Sequence, residues 1–400
     1  MAQATGSQPT EPSAWRPRLV TRPFLIRCVS VIAASASYYL LLSVVPLYAQ
    51  ASGGSGDTAG LTTGALMFAT VAGVLLSPVL TARFGNRPTL AAGLFLLGAP
   101  ALLLPASGQI GWLVALCLVR GLGFALTLVA GSALTVPLIP PERRGEGLAL
   151  LGVVAGVPML AALPLGVWLA DRTGYGPVSM AAGVVALAAI LTVPALPRQK
   201  PAGDRRIGLL AGFRTGRLLR PTLVFGASAL ATGVVVTFLP LAVPTASTGL
   251  VAVALFLHPA TSTATRWLAG RHGDRHGAQR LVLPGLLLSV LGTLLLALTH
   301  SPVAVVLGVT VFGAGFGIAQ NATLSLMYAR VPGEGYATVI ALWNFAYDAG
   351  MGVGAVGFGL LAAGIGYPLS FVCTAALMLT ALIPAVRDRD RTTARAGLGA

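Results

Sequence analysis

Charge is what this chain lacks most. Asp, Glu, Lys and Arg together make up 9% of its 400 residues, against roughly 25% in a soluble domain. That deficit excludes an ordinary water-facing surface over most of the chain. Acids are the scarcer sign, 11 against 26 Lys and Arg. The cysteines are three, Cys28, Cys117 and Cys373, each inside an apolar run. They imply no disulfide framework and read as small packing residues. No Walker-type loop, metal cluster or nucleophile–base pair is visible. No metal, no cofactor and no ATP hydrolysis are therefore expected. An intramembrane enzyme, the remote alternative, would need two or more clustered catalytic groups. No signal peptide is expected either. The first apolar run, 24–48, is too long for one and has no small-residue cleavage site.

What is present is a succession of charge-free stretches of about 18 to 26 residues, each able to cross a hydrocarbon core near 30 Å. Twelve spans are predicted, at 24–48, 59–81, 89–106, 111–136, 148–170, 178–195, 222–243, 250–269, 281–299, 303–328, 337–362 and 368–386. The formal charge of +15 follows the topology of these spans, which argues against a nucleic-acid partner. Of the 26 basic residues, three (Arg27, Arg120 and Arg266) lie within spans and one, Arg172, lies in an odd-to-even loop. The other 22 lie in the tails and even-to-odd loops. The positive-inside rule then puts both termini in the cytoplasm.

An internal repeat divides the chain. Gly85 matches Gly277, the Gly121-Leu-Gly-Phe124 stretch matches Gly313-Ala-Gly-Phe316, and Gly174-Tyr175 matches Gly366-Tyr367, each at an offset of 192. Gly145-Glu-Gly147 matches Gly333-Glu-Gly335 at 188. The expected organisation is a cytoplasmic tail 1–23, a six-helix bundle 24–195, a basic linker 196–220, a second bundle 221–386 and a tail 387–400. The linker carries seven basic residues and one acid, Asp204. Its Ile207–Phe213 stretch fits either a surface amphipathic helix or a solvated loop. The fold class is thus an all-α membrane protein of 12 transmembrane helices in two pseudo-symmetric six-helix bundles.

These residues resemble the major facilitator superfamily over nearly the whole chain. The family signature after its second helix is Gly-x-x-x-Asp-Arg-x-Gly followed by basic residues. Gly270, Asp274, Arg275, Gly277 and Arg280 match it. The first copy keeps Arg83, Gly85 and Arg87, but has Ala82 in place of the acid and Pro78 in place of glycine. The resemblance implies that these loops are conformational latches steadying the outward-facing state. The family's exporter signature in helix 4 places an Arg four residues before Gly-x-Gly. Cys117 holds that position here, with Arg120 one turn later. The helix 5 exporter signature is dispersed into Gly152, Gly156, Pro158, Pro164 and Gly166. Gly313 to Asn321, and Trp343 to Gly350, resemble bacterial drug and sugar efflux members.

Spans 3, 6, 9 and 12 hold no charge, Asn or Gln, so they read as lipid-facing scaffold around a polar cavity. Only one acid, Asp348, lies deep in a span. A carboxylate there costs several kcal/mol, roughly, unless paired or protonated. It is the candidate proton-coupling residue, or else a structural partner for an Arg or a broken helix. The candidate substrate wall is Tyr38, Arg120, Gln320, Asn321, Trp343, Asn344 and Tyr347. Asn344 shares a face with Asp348, and Trp343 with Tyr347. Arg120 has three readings: a pair with Asp348, a hold on an anionic substrate, or bonds to backbone carbonyls. Gln320 and Asn321 share a face with Gly313 and Gly317, which either lines the cavity or brings backbones together. Of Tyr38 and Tyr39, one must face away. Arg27 and Arg266 are expected to snorkel. His258, before Pro259, is expected to be a packing residue, with proton coupling as the second reading.

The expected function is proton-coupled efflux of a small, largely apolar molecule, by a monomer in the bacterial cytoplasmic membrane. Its partners are substrate, protons and the lipid bilayer. The competing reading is a proton-coupled importer of a sugar or similar polar solute.

Overall fold

The computed structural model describes residues 19–140, 143–197, 216–243, 248–331 and 336–388. The expectations for most of both tails, for most of the linker including Ile207–Phe213, and for Gly333 to Gly335 lie outside the described residues.

Apolar residues without surrounding water can satisfy backbone N–H and C=O groups only within the segment itself, so these stretches fold as helices. We number them α1 Arg22–Leu42, α2 Val44–Ala51, α3 Gly56–Phe84, α4 Asn86–Leu103, α5 Ile110–Thr135, α6 Arg144–Thr173 and α7 Tyr175–Ala188. Then come α8 Gly216–Ala242, α9 Thr248–His276, α10 Gln279–Leu295, α11 Pro302–Tyr328 and α12 Tyr336–Leu379. Short 3-10 turns extend α4, α5 and α7. Each of the twelve predicted stretches falls on these helices. Predicted ends differ where a helix outlasts its apolar stretch: α9 continues seven residues past 269, to His276. The first stretch is interrupted at Ser43, and α12 carries two stretches in one run. Among the described residues, nine helical stretches are long and apolar enough to cross a membrane. α9, diluted by Thr, His and Arg, and α10, 17 residues long, fall outside that number.

Hydroxyl side chains are spent inside the helices, where Thr70, Ser289, Thr293 and Thr323 donate to the carbonyl four residues back. Cys28 and Cys117 are buried as expected of packing residues, whereas Cys373 is exposed.

Tight joints fall at glycines in the left-handed region: Gly85 at φ +85°, Gly174 at +83°, Gly277 at +88° and Gly366 at +78°. Gly85 and Gly277 are 192 residues apart, and so are Gly174 and Gly366. The repeat therefore extends to backbone conformation. It extends to packing too. Gly121 of α5 sits against the Leu66 carbonyl of α3, and Gly313 of α11 against the His258 carbonyl of α9. Gly123 meets Gly93 and Leu97, and Gly315 meets Gly285 and Ser289, again 192 apart.

The first and second halves of the chain meet through α3 against α12 and α6 against α9. They are pressed together at the end carrying Gly174 and Gly366. There Gly60 backs onto the Ala355 carbonyl and Gly64 onto Val356. The Ser43 hydroxyl donates to the Val236 carbonyl at 2.9 Å, Thr237 donates to Thr63 at 3.0 Å, and the Gln50 amide donates to the Tyr367 hydroxyl at 3.3 Å.

Candidate functional site

Between the two halves, α1 supplies Tyr38 and Tyr39, and α12 supplies Trp343, Asn344, Tyr347 and Asp348. Asp348 is half-buried and interacts electrostatically with Tyr38, Tyr39 and Tyr347. Tyr38 is buried, stacked on Phe124 at 3.7 Å between ring centres and edge-on to Tyr39 at 5.3 Å. Tyr39 remains half-buried beside it. Both tyrosines thus reach the Asp348 region, although neighbouring helix positions diverge, because one stands edge-on to the other. Asn344, one turn before Asp348, is exposed.

Trp343 stacks on Phe225 of α8 at 4.4 Å and 10°. Tyr347 lies 6.1 Å from Phe225 and 6.2 Å from Phe316 of α11. Tyr347 also packs against apolar clusters from both halves of the chain. Such pairs contribute roughly 0.5–1.5 kcal/mol each beyond area burial, and together they make a stiff, flat wall. Phe124, Phe225 and Phe316 were not among the residues predicted for the site. The one signal for Phe124 and Phe316 was their position beside the repeated glycines, and Phe225 had none.

Of the three readings of Arg120, the structure shows bonds to backbone. The side chain is 1% exposed, and its guanidinium donates to the Leu97 carbonyl at 3.2 Å and the Ser37 carbonyl at 2.9 Å. It also borders a narrow crevice with Cys117, Thr62, Thr63 and Leu66. Arg27 does not snorkel as expected. It is buried and donates to the Gly131 carbonyl, Thr135 and Ser30, because Gly131 leaves room for it. Arg266 is exposed.

The stripe of Gly313, Gly317 and Asn321 brings backbones together. Gly317 sits on Ser262 and Thr265 of α9, and the Asn321 amide lies beside Gly270. Gln320 is half-buried on the same helix.

At the other end, the Arg87 guanidinium donates to the Pro194 carbonyl at 2.5 Å, and Arg83 lies over the Phe84 ring. Asp274 and Arg275 are exposed, next to the Gly277 turn. A further cluster at this end was not predicted. Asp388 forms a two-pronged pair with Arg330 at 3.0 and 2.6 Å, with Arg220 at 3.8 Å, while Gln279 donates to its carbonyl. Asp388 lies in the Arg-Asp run at the start of the C-terminal tail, and only the fold shows that Arg330 reaches it. Among the described residues, no group of His, Cys, Asp or Glu could hold a metal.

The comparisons with known proteins agree with this architecture. The family model for the Major Facilitator Superfamily matches residues 27–355 and 222–398. A chloramphenicol resistance protein of Streptomyces lividans is 30% identical over 318 residues, covering 76% of this chain and 81% of that one. A solved point mutant of the nucleoside transporter NupG superposes with a TM-score of 0.78 at 11% identity over 92% of this chain and all of that one. A bacterial homologue of the human lysosomal transporter Spinster, inward-facing and occupied, also gives 0.78, at 14% identity over 92% of this chain and 96% of that one. A matched family across the chain, apolar helices long enough to cross a membrane and a shared fold lead to one conclusion: the chain belongs to the major facilitator superfamily, and is a multi-pass membrane transporter rather than an enzyme.

Proposed function

We propose that the protein is a proton-driven exporter of a small, largely apolar molecule, working as a monomer in the bacterial cytoplasmic membrane. In this reading the chain crosses the membrane twelve times with both termini inside. The six-helix units 24–195 and 221–386, joined by the basic linker 196–220, rock about the site between them. The observation that carries the reading is Asp348, a half-buried acid within electrostatic reach of Tyr38, Tyr39 and Tyr347 and on the same helix as Trp343, which stacks on Phe225. A carboxyl group there can carry one proton. The wall offers apolar area with few hydrogen bonds, which suits an apolar solute better than a polyhydroxylated one.

The cycle follows from geometry. The Gly174/Gly366 end is shut in this structure, so substrate enters from the Gly85/Gly277 end, the cytoplasmic one in this topology. It displaces the proton of Asp348 inward. Reorientation releases the substrate outside, and a new proton resets the site. Arg83, Gly85 and Arg87, with Gly270, Asp274, Arg275 and Gly277, latch the cytoplasmic end shut in the opposite state. The Streptomyces lividans relative, named for chloramphenicol resistance, supports a drug-like substrate and outward direction.

The test compares accumulation of hydrophobic dyes and antibiotics in cells with and without the protein. Lower accumulation that rises to control level with an uncoupler is expected. Unchanged accumulation across the panel, with uncoupler-sensitive uptake of a polar nutrient, would establish the importer reading instead.

A further inference from the structure

His258 is 1% exposed, and neither of its ring nitrogens has a hydrogen-bond partner among the described residues. Phe312 stacks on the imidazole at 5.1 Å and 17°, and Phe316 lies 5.9 Å away. Burying a polar ring without a partner is unfavourable, and native structures seldom tolerate it without a reason.

The repeat supplies an internal control for whether the fold needs a polar residue there. The position 192 residues earlier is Leu66, also buried, whose carbonyl receives Gly121 as that of His258 receives Gly313. Leucine makes the same backbone contact, so packing does not require the imidazole. The facing positions are exchanged as well. Leu66 shares its crevice with Arg120, whereas His258 faces Phe312, the counterpart of Arg120 by the same offset. Each half therefore buries one basic side chain in this layer. Arg120 is bonded to carbonyls of neighbouring helices. The His258 nitrogens are bonded to none of the described residues.

Two further features decide what could partner it. Pro259, the next residue, removes a backbone hydrogen bond inside α9 and makes this the point where α9 can bend. On the far side of Phe316, Phe225 leads to Trp343, whose indole nitrogen is likewise buried without a partner among the described residues. The aromatic wall thus ends in an unpartnered N–H group at Trp343 and an unpartnered imidazole at His258.

We infer that His258 is a substrate-recognition residue of the second half, hydrogen-bonding a polar group of the transported molecule when α9 bends at Pro259 and Phe316 moves aside. The inference rests on the export reading above. It narrows the substrate to aromatic or similarly flat molecules carrying hydrogen-bonding groups, such as amides or hydroxyls. A molecule with no such group would not use His258.

The test uses the full chain, with His258→Phe keeping ring shape and stacking while removing both nitrogens. Two probes are compared in energised everted vesicles: chloramphenicol, which carries amide and hydroxyl groups, and tetraphenylphosphonium, which carries no hydrogen-bonding group. The half-saturation concentration for chloramphenicol should rise about three- to tenfold, and that for tetraphenylphosphonium should stay the same. His258→Gln, which keeps a donor and an acceptor, should recover most of the chloramphenicol affinity. Without any probe, His258→Phe should melt about 2 °C or more above wild type, because an unpartnered buried group has been removed. A variant that keeps wild-type chloramphenicol half-saturation, or melts at or below wild type, overturns the assignment alone. Wild type that moves neither probe removes the export reading, and the assignment with it.

Discussion

At the scale of single residues, acids and bases in this membrane protein are few enough to be followed one by one. Arg27 and Arg120 are both buried and both bonded to main-chain carbonyls or hydroxyls of neighbouring helices. A guanidinium with five fixed donors can be satisfied this way, so neither needs an acid. Asp348 has no such arrangement among the described residues, which is why the proton is assigned to it. Asp348→Asn keeps size and polarity but cannot titrate. It should reduce gradient-driven transport at least about tenfold while leaving substrate counterflow near wild type and insensitive to the imposed pH gradient. Full uphill transport by the variant, at wild-type expression, would move proton coupling to another residue.

At the scale of elements, helices approach closely where glycines remove the side chain. The seam of α3 and α12 is the clearest case, with Gly60 on the Ala355 carbonyl, Gly64 on Val356 and Gly359 on the Gly56 carbonyl at 2.7 Å from a would-be Cβ. This seam holds the Gly174/Gly366 end shut. A leucine at Gly60 would meet backbone, which cannot yield as a flexible side chain can. Overpacking of this kind costs about 1–3 kcal/mol, and each 1.4 kcal/mol or so is a tenfold change in a two-state population. Gly60→Leu should therefore favour the state open at this end. Spin labels at the exposed positions Ser52 and Ala363 should report a longer distance in the variant than in wild type. An unchanged distance in a well-expressed variant would mean that the seam does not set the conformation.

At the scale of the whole molecule, the joints at Gly85, Gly174, Gly277 and Gly366 repeat at one spacing, and so do the glycine contacts inside the helix pairs. The proposed two-unit architecture would account for this, since equivalent units place equivalent demands on the backbone. The orientation in the membrane is a separate matter, decided by charge. In a variant without native cysteines, a single Cys at Arg172 should react with an impermeant thiol reagent applied to intact cells. One at Arg275, exposed at the opposite end, should react only after the membrane is opened. The reverse pattern would invert the topology, and with it the direction of the export cycle.

Membrane residence and helix positions were legible in the sequence because they depend on local properties: the length of a run without charge and the placement of Lys and Arg around it. The glycine repeat was legible for a similar reason, since a left-handed turn or a close backbone approach admits almost no other residue. Asp348 stood out because a lone acid in an apolar run is conspicuous. The partners of these residues were not legible. Nothing local to Arg120 shows that it meets Ser37 and Leu97, tens of residues away in sequence. The stripe of Gly313, Gly317 and Asn321 fitted a cavity lining as well as a seam until α9 was placed against it. Phe225 is indistinguishable in an apolar run from phenylalanines that face lipid, and the packing of other helices alone turns it inward. The empty surroundings of the His258 nitrogens were hidden for the same reason: whether a polar group has a partner depends on every element around it, and only the tertiary structure brings those elements together.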